Sequence, residues 1–311
     1  MISRFLGTLA FVPVVFCLLT TGNSALALSL TLFDSVSGMV LIEKEQHKKL
    51  NPGDFVQLMT LYTALRLTDG KDRLSLTVTV PESNIAARQN ARRLYLRAGQ
   101  TVSFNGLIKA VAVTNAEEAC HVLAGTNGLN TREFVEKMNF YAAEAGMKNS
   151  LFTSPVTAPG QVSSAYDLAL LTQEIRTRYP DIFALFSEKT FSFAGNNQRN
   201  RNLLLWRGDD IDGVMSNKTS TAFIASSVHK KITADTERRL IAVYLPDRNA
   251  RTDVSINQVL TLFRKGRADF ETIRLFTAGT PVSALEVLGG NRNRLEVAAD
   301  KDIWVSIDRA K

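Results

Sequence analysis

The stretch Leu28-Ser29-Leu30-Thr31-Leu32-Phe33-Asp34-Ser35-Val36-Ser37-Gly38-Met39-Val40-Leu41-Ile42-Glu43 sets the direction of the reading. Residues 28–33 and 39–43 are β-rich runs. Between them, Asp34-Ser35-Val36-Ser37-Gly38 is turn chemistry, so the segment predicts a β-hairpin. What precedes it differs in kind. Arg4 is a short basic region, residues 5–19 are almost entirely apolar, and Ala25-Leu26-Ala27 has small residues at both ends. That order predicts a secretory signal peptide over residues 1–27. Pro13 and the short apolar run argue against a membrane-spanning helix, and no later segment approaches the ~20 apolar residues that a span needs.

After the hairpin the period changes. Asn51-Pro52-Gly53-Asp54 is a loop and helix start, followed by Leu58, Leu61, Tyr62 and Leu65 at helical spacing. Residues 76–80 alternate as a strand does, and the Arg-rich residues 86–97 read as surface. Residues 107–123 form an apolar helical stretch broken near Thr114-Asn115. Thr131 is the expected cap of an amphipathic helix carrying Phe134, Met138 and Tyr141, and Ser163-Ser164 precede another. Strands return at 190–193, 214–219, 222–228 and 239–245. A last helix carries Val254, Val259, Leu260 and Phe263, followed by short strands at 273–276, 282–288, 295–298 and 303–307. A hairpin, central helices and returning antiparallel strands predict an α+β fold, with an antiparallel sheet flanked by helices.

Composition narrows the function classes. The chain has 311 residues, 45% hydrophobic and 22% charged, which is ordinary for a globular protein. It is long enough for one sizeable core and a small second domain. A net charge of +7 spread along the chain does not indicate nucleic acid. Of the two cysteines, Cys17 lies in the apolar leader and only Cys120 follows it, so no internal disulfide is expected. His47, His121 and His229 are far apart and lack ligand spacing, so no metal and no cofactor are expected. Cys120 and His121 are neighbours on one helix and diverge by about 100°, which excludes a shared hydrogen bond.

The order of several segments resembles the penicillin-binding D-alanyl-D-alanine carboxypeptidases. The resemblance rests on the opening hairpin, on Leu96-Arg97-Ala98-Gly99-Gln100, and on Phe134-Val135 with Met138-Asn139. It continues through Gly146-Met147-Lys148-Asn149-Ser150, Ser163-Ser164-Ala165-Tyr166-Asp167-Leu168, Asn200-Arg201-Asn202 with Leu204-Leu205-Trp206, and Asp212-Gly213-Val214. It implies the transpeptidase/β-lactamase-like fold over residues 28–270, with residues 271–311 as a truncated small β domain. The amphipathic C-terminal anchor common in the family is not found, and a periplasmic location is expected, with an extracellular one as the alternative.

The family's chemistry uses three motifs, S-x-x-K, S-x-N and K-T-G. The serine attacks a carbonyl and the lysine takes its proton. The second pair relays protons and orients substrate, and the last motif holds the substrate carboxylate. In this chain Asp54 stands at the nucleophile and Gln57 at the base. Asn115 and Glu117 stand at the second motif, and Met215, Ser216 and Asn217 at the third. Asp54 and Gln57 resemble a capping box, with the carboxylate favoured at a helix N-terminus by typically ~0.3–1 kcal/mol. Glu117-Glu118 read as first-turn acids. Lys218 and Thr219 are candidate ligand-binding residues, because a three-residue slip makes Lys218-Thr219-Ser220 imitate the last motif. The expected function is a secreted, catalytically inactive homologue with a binding or regulatory role in the envelope, its partner a peptidoglycan peptide or an envelope protein. The alternative is an active carboxypeptidase working through unconventional residues such as Asp54 or Ser216.

Overall fold

The computed structural model of the chain describes residues 28–73, 75–81, 93–208, 210–234, 236–246, 250–288 and 293–310. The leader, residues 1–27, and residues 86–92 of the Arg-rich stretch lie outside the described residues.

The opening hairpin is β1 (Ser29–Asp34) and β2 (Val40–Lys44). A 3-10 turn at Gly53–Phe55 leads into α1 (Val56–Leu67), which is buried on every side from Val56 to Leu65. A helix apolar around its whole circumference belongs inside a core. Short strands β3 (Thr77–Thr79) and β4 (Thr101–Ser103) pair with each other. Helix α2 (Phe104–Thr114) is capped by Ser103, whose Oγ accepts from the Gly106 N–H, and α3 (Glu117–Leu123) follows after two residues.

Helix α4 (Thr131–Glu144) is capped by Asn130, one residue earlier than expected, because Asn130 and Glu133 form a reciprocal capping box. Helix α5 (Ala165–Arg178) is capped by Ser164, and α6 (Pro180–Leu185) follows it. Then come β5 (Thr190–Phe193) and β6 (Asn196–Arg199), β7 (Ile211–Ser216), β8 (Phe223–Lys231) and β9 (Glu237–Leu245). Helix α7 (Thr252–Asp269) leads directly into β10 (Phe270–Phe276). The last strands are β11 (Pro281–Glu286), β12 (Arg294–Ala298) and β13 (Ile303–Asp308), with β10 pairing β13 and β11 pairing β12.

The principal sheet is antiparallel throughout, in the order β2-β1-β9-β8-β7. This is the predicted α+β architecture. Strand β9 explains its layering. Ile241, Val243 and Leu245 join the core shared with α1 to α6, while Leu240, Ala242 and Tyr244 join the core beneath α7. A strand covered on both faces becomes a nearly continuous apolar run, and Leu240 to Leu245 is one. The helical side holds the motif positions; α7 seals the other side.

Candidate functional site

The three motif segments meet where the turn before α1, the junction of α2 with α3, and the end of β7 come together. The 3-10 turn packs on β7, α1 packs on α2 and α3, and α2 reaches β7.

Asp54 is the central residue. It is 7% exposed, and its Oδ2 accepts the Lys218 backbone N–H at 2.8 Å. The Thr157 hydroxyl lies 2.8 Å from Gly53 O and 3.3 Å from Asp54 Oδ1, one donor shared between two acceptors. The expected capping box is not formed. Residues Gly53–Phe55 tighten into a 3-10 turn, so Phe55 occupies the N-cap position of α1 and no side chain caps it. The carboxylate instead reaches across to the β7–β8 turn, where a backbone N–H is on offer.

Gln57 is the second residue of α1, 2% exposed, and its Oε1 has no hydrogen-bond partner among the described residues. Asn115 ends α2 in the left-handed conformation, φ 56° and ψ 46°, which asparagine tolerates better than most residues. Its Oδ1 is likewise buried without a partner. Glu117 and Glu118 are the expected first-turn acids of α3, yet both are buried, at 2% and 5% exposure. Glu118 accepts the Leu94 N–H at 2.9 Å and the Leu96 N–H at 3.4 Å, which fastens the 94–96 segment to the junction.

Met215 and Ser216 pair with Ile224 and Phe223 at the end of β7. Ser216 Oγ is buried and has no partner. The third motif segment therefore lies on a strand only as far as Ser216, not to Thr219 as expected. Asn217 Oδ1 accepts the N–H groups of Thr221 and Ala222 at 2.8 and 3.0 Å, and Ser220 takes a positive φ of 53°. Those bonds close a tight turn and end the ladder. Lys218 and Thr219 are exposed in that turn, and the Thr219 hydroxyl lies 3.0 Å from that of Thr221.

Among the described residues, one buried oxygen from each of these segments thus lacks a partner: Gln57 Oε1, Asn115 Oδ1 and Ser216 Oγ. Buried polar atoms are nearly always bonded, so the three are exceptions gathered from the three segments. Chemically the group offers acceptors and a hydroxyl. The amide of Gln57 takes up no proton near neutral pH. Burial pushes the Cys120 thiol well up, with Glu117 adding to it, and burial lowers His121, so the two form no thiolate–imidazolium pair. Among the described residues, no group of three or more His, Cys, Asp or Glu is placed to hold a metal, and no helix is long and apolar enough to cross a membrane.

Sequence reasoning missed Thr157 and the bonds of Glu118. Thr157 lies in a loop 103 residues from Asp54, with no local pattern to mark it.

A family model described as D-alanyl-D-alanine carboxypeptidase matches residues 20–249. The chain is 30% identical over 294 residues to the D-alanyl-D-alanine carboxypeptidase DacD of Escherichia coli K12, covering 91% of this chain and 74% of that protein. It is 31% identical over 290 residues to DacA of Haemophilus influenzae, covering 90% and 72%. Among solved structures it is similar to penicillin binding protein 5 from Haemophilus influenzae, with TM-score 0.81, 29% identity, and coverage of 94% of this chain and 85% of that one. Penicillin binding protein 6B from Escherichia coli gives TM-score 0.73 and 28% identity, covering 91% and 84%.

Proposed function

The chain belongs to the D-alanyl-D-alanine carboxypeptidase family, and on that premise we propose that it is a member that forms no acyl-enzyme and serves a binding or regulatory role on peptidoglycan peptides. The observation that carries this reading is the commitment of Asp54. At the position of the nucleophile, its carboxylate is held by the Lys218 N–H and the Thr157 hydroxyl. A carboxylate is also a poor nucleophile toward an amide. Gln57 supplies no base, and Ser216 Oγ has no partner to take its proton. Lys218 and Thr219 are exposed in the turn whose backbone binds Asp54, and as a cation and a hydroxyl they are the candidate contacts with a substrate carboxylate, which supports binding without cleavage.

We assign residues 1–27 to a signal peptide and the folded chain to the periplasm. Residues 28–270 form the carboxypeptidase-like domain. Residues 271–311 form a small β domain, a division supported by the pairing of β10 with β13 and β11 with β12. N-terminal sequencing of the exported protein is expected to begin at Leu28.

The deciding experiment is intact mass after incubation with a large excess of penicillin. An unchanged mass, with a cooperative melting transition, is expected. An adduct mapped near Asp54, Asn115 or Ser216 overturns the proposal, as does D-alanine release from a pentapeptide that Asp54→Ala or Ser216→Ala abolishes. Calorimetric titration with the pentapeptide tests binding separately: heat that saturates is expected, and its absence leaves protein contact as the role.

A further inference from the structure

We propose that the cavity between α7 and the start of β7 binds a phosphate monoester carried on an apolar body. The site is separate from the motif positions. It lies on the α7 side of the principal sheet, whereas Asp54, Gln57 and Asn115 lie on the other.

The cavity has a volume of about 240 Å³, and Arg207, Arg264 and Arg267 all line it. Their situations differ. Arg267 binds Asp210 and the Ser227 hydroxyl, and its Nε is buried with no partner. Arg264 donates to the Thr261 hydroxyl at 2.9 Å, and Arg207 follows the 3-10 turn at Leu203–Trp206. Among the described residues neither Arg207 nor Arg264 has an acidic partner. Three guanidinium groups therefore line a space large enough for a small molecule, and among the described residues only that of Arg267 is paired with a carboxylate, Asp210. Like charges gathered around one cavity favour an anion between them, although Arg207 and Arg264 are themselves exposed. The planar guanidinium fork matches phosphate oxygens with paired, charge-assisted hydrogen bonds.

Two further features select the ligand. Two guanidinium groups without acidic partners suit a dianion, which a phosphate monoester is near neutral pH. Ile211, Leu260 and Phe263 also line the cavity, and bare phosphate has no use for an apolar wall. Asn257 adds an amide at the rim. The helical contribution comes from one face of α7: Asn257, Leu260, Arg264 and Arg267 fall at spacings of three, four and three.

The test is calorimetric titration of the protein with phenyl phosphate and with inorganic phosphate at constant ionic strength. Saturable binding of phenyl phosphate is expected, tighter than that of inorganic phosphate. Arg207→Gln with Arg264→Gln is expected to abolish it, and Arg264→Gln alone to weaken it about tenfold. The single variant guards against misfolding, and the unliganded melting temperature of both is expected to match the parent, since both side chains are exposed and neither makes an ion pair with a described residue. Binding to vesicles of phosphatidic acid in phosphatidylcholine, but not of phosphatidylcholine alone, would assign the phosphate to a lipid; binding of phenyl phosphate without vesicle binding would assign it to a soluble ester. The proposal is overturned by no saturable binding, by inorganic phosphate binding as tightly as phenyl phosphate, or by unchanged affinity in the double variant. These outcomes are independent of penicillin labelling.

Discussion

The Lys218 backbone N–H donates to Asp54 Oδ2 at 2.8 Å, joining the turn before α1 to the β7–β8 turn across 164 residues of sequence. The carboxylate has become part of the framework. Asp54→Ala removes the acceptor for that N–H and the farther of the two acceptors of the Thr157 hydroxyl. A loss of about 1–3 kcal/mol in unfolding free energy is expected by urea denaturation. Asp54→Asn keeps one acceptor and should lose less. No loss in either variant would mean that the contact contributes nothing to the fold.

Restoring two residues should not restore chemistry. On the proposed assignment of the motif positions, Asp54→Ser with Gln57→Lys rebuilds the first motif and leaves Met215, Ser216 and Asn217 in place of the third. Penicillin labelling of this pair of substitutions is expected to stay at background. It should rise only when Met215→Lys, Ser216→Thr and Asn217→Gly are added, as read by intact mass.

Arg238 and Asp34 are both fully buried, with Nε and Oδ2 2.9 Å apart. Arg238 also donates to Phe270 O at 3.0 Å and Gly266 O at 3.2 Å, while Thr272 donates to Asp34 Oδ2 at 2.6 Å. The pair ties the opening hairpin to the end of α7 and to β10. Breaking a buried pair leaves one charge without its partner, so Asp34→Asn or Arg238→Met is expected to cost about 3–5 kcal/mol. The double variant should cost less than the sum of the two, measured as a double-mutant cycle.

Gly266 sits inside α7, where alanine ordinarily gains up to about 1 kcal/mol in helix propensity. Here packing decides the sign. A Cβ at Gly266 overlaps the Leu32 side chain and comes within 3.0 Å of Leu240. Gly266→Ala is therefore expected to destabilise by about 1–3 kcal/mol, visible as a lower melting temperature.

Two histidines predict the response to pH. Burial lowers His121; burial and then Arg238, Arg267, Lys230 and Arg309 lower His229. The unfolded chain takes up these protons near the usual value of 6.5, before the folded chain does. More protons on the unfolded state mean that stability rises with pH. Unfolding free energy should therefore fall as pH drops through 6.5 toward 5, and His121→Gln with His229→Gln should flatten that slope.

Much of this was legible along the chain. The hairpin at residues 28–43 showed in its turn chemistry, and the break between α2 and α3 showed at Thr114-Asn115. Helix ends were less secure. Asn130 rather than Thr131 caps α4, because the side chain that reaches back, Glu133, fits only that register. Around the proposed motif positions, two expected surroundings were misjudged. Asp54 and Gln57 have the spacing of a capping box, and the spacing is realised without the bonds because the preceding turn is 3-10. Lys218 and Thr219 follow a strand, and the Asn217 side chain ends that strand at Ser216, three residues early.

The sequence by itself determined the alternation of apolar residues, the helix periods and the identities at the motif positions, because these depend on near neighbours and on side-chain chemistry. The tertiary structure alone decided what Asp54 holds, why Glu118 is buried, and that Arg207, Arg264 and Arg267 surround one cavity. Those relationships join residues far apart in the chain, and a polar group selects its partner only when folding has removed the water that would otherwise satisfy it.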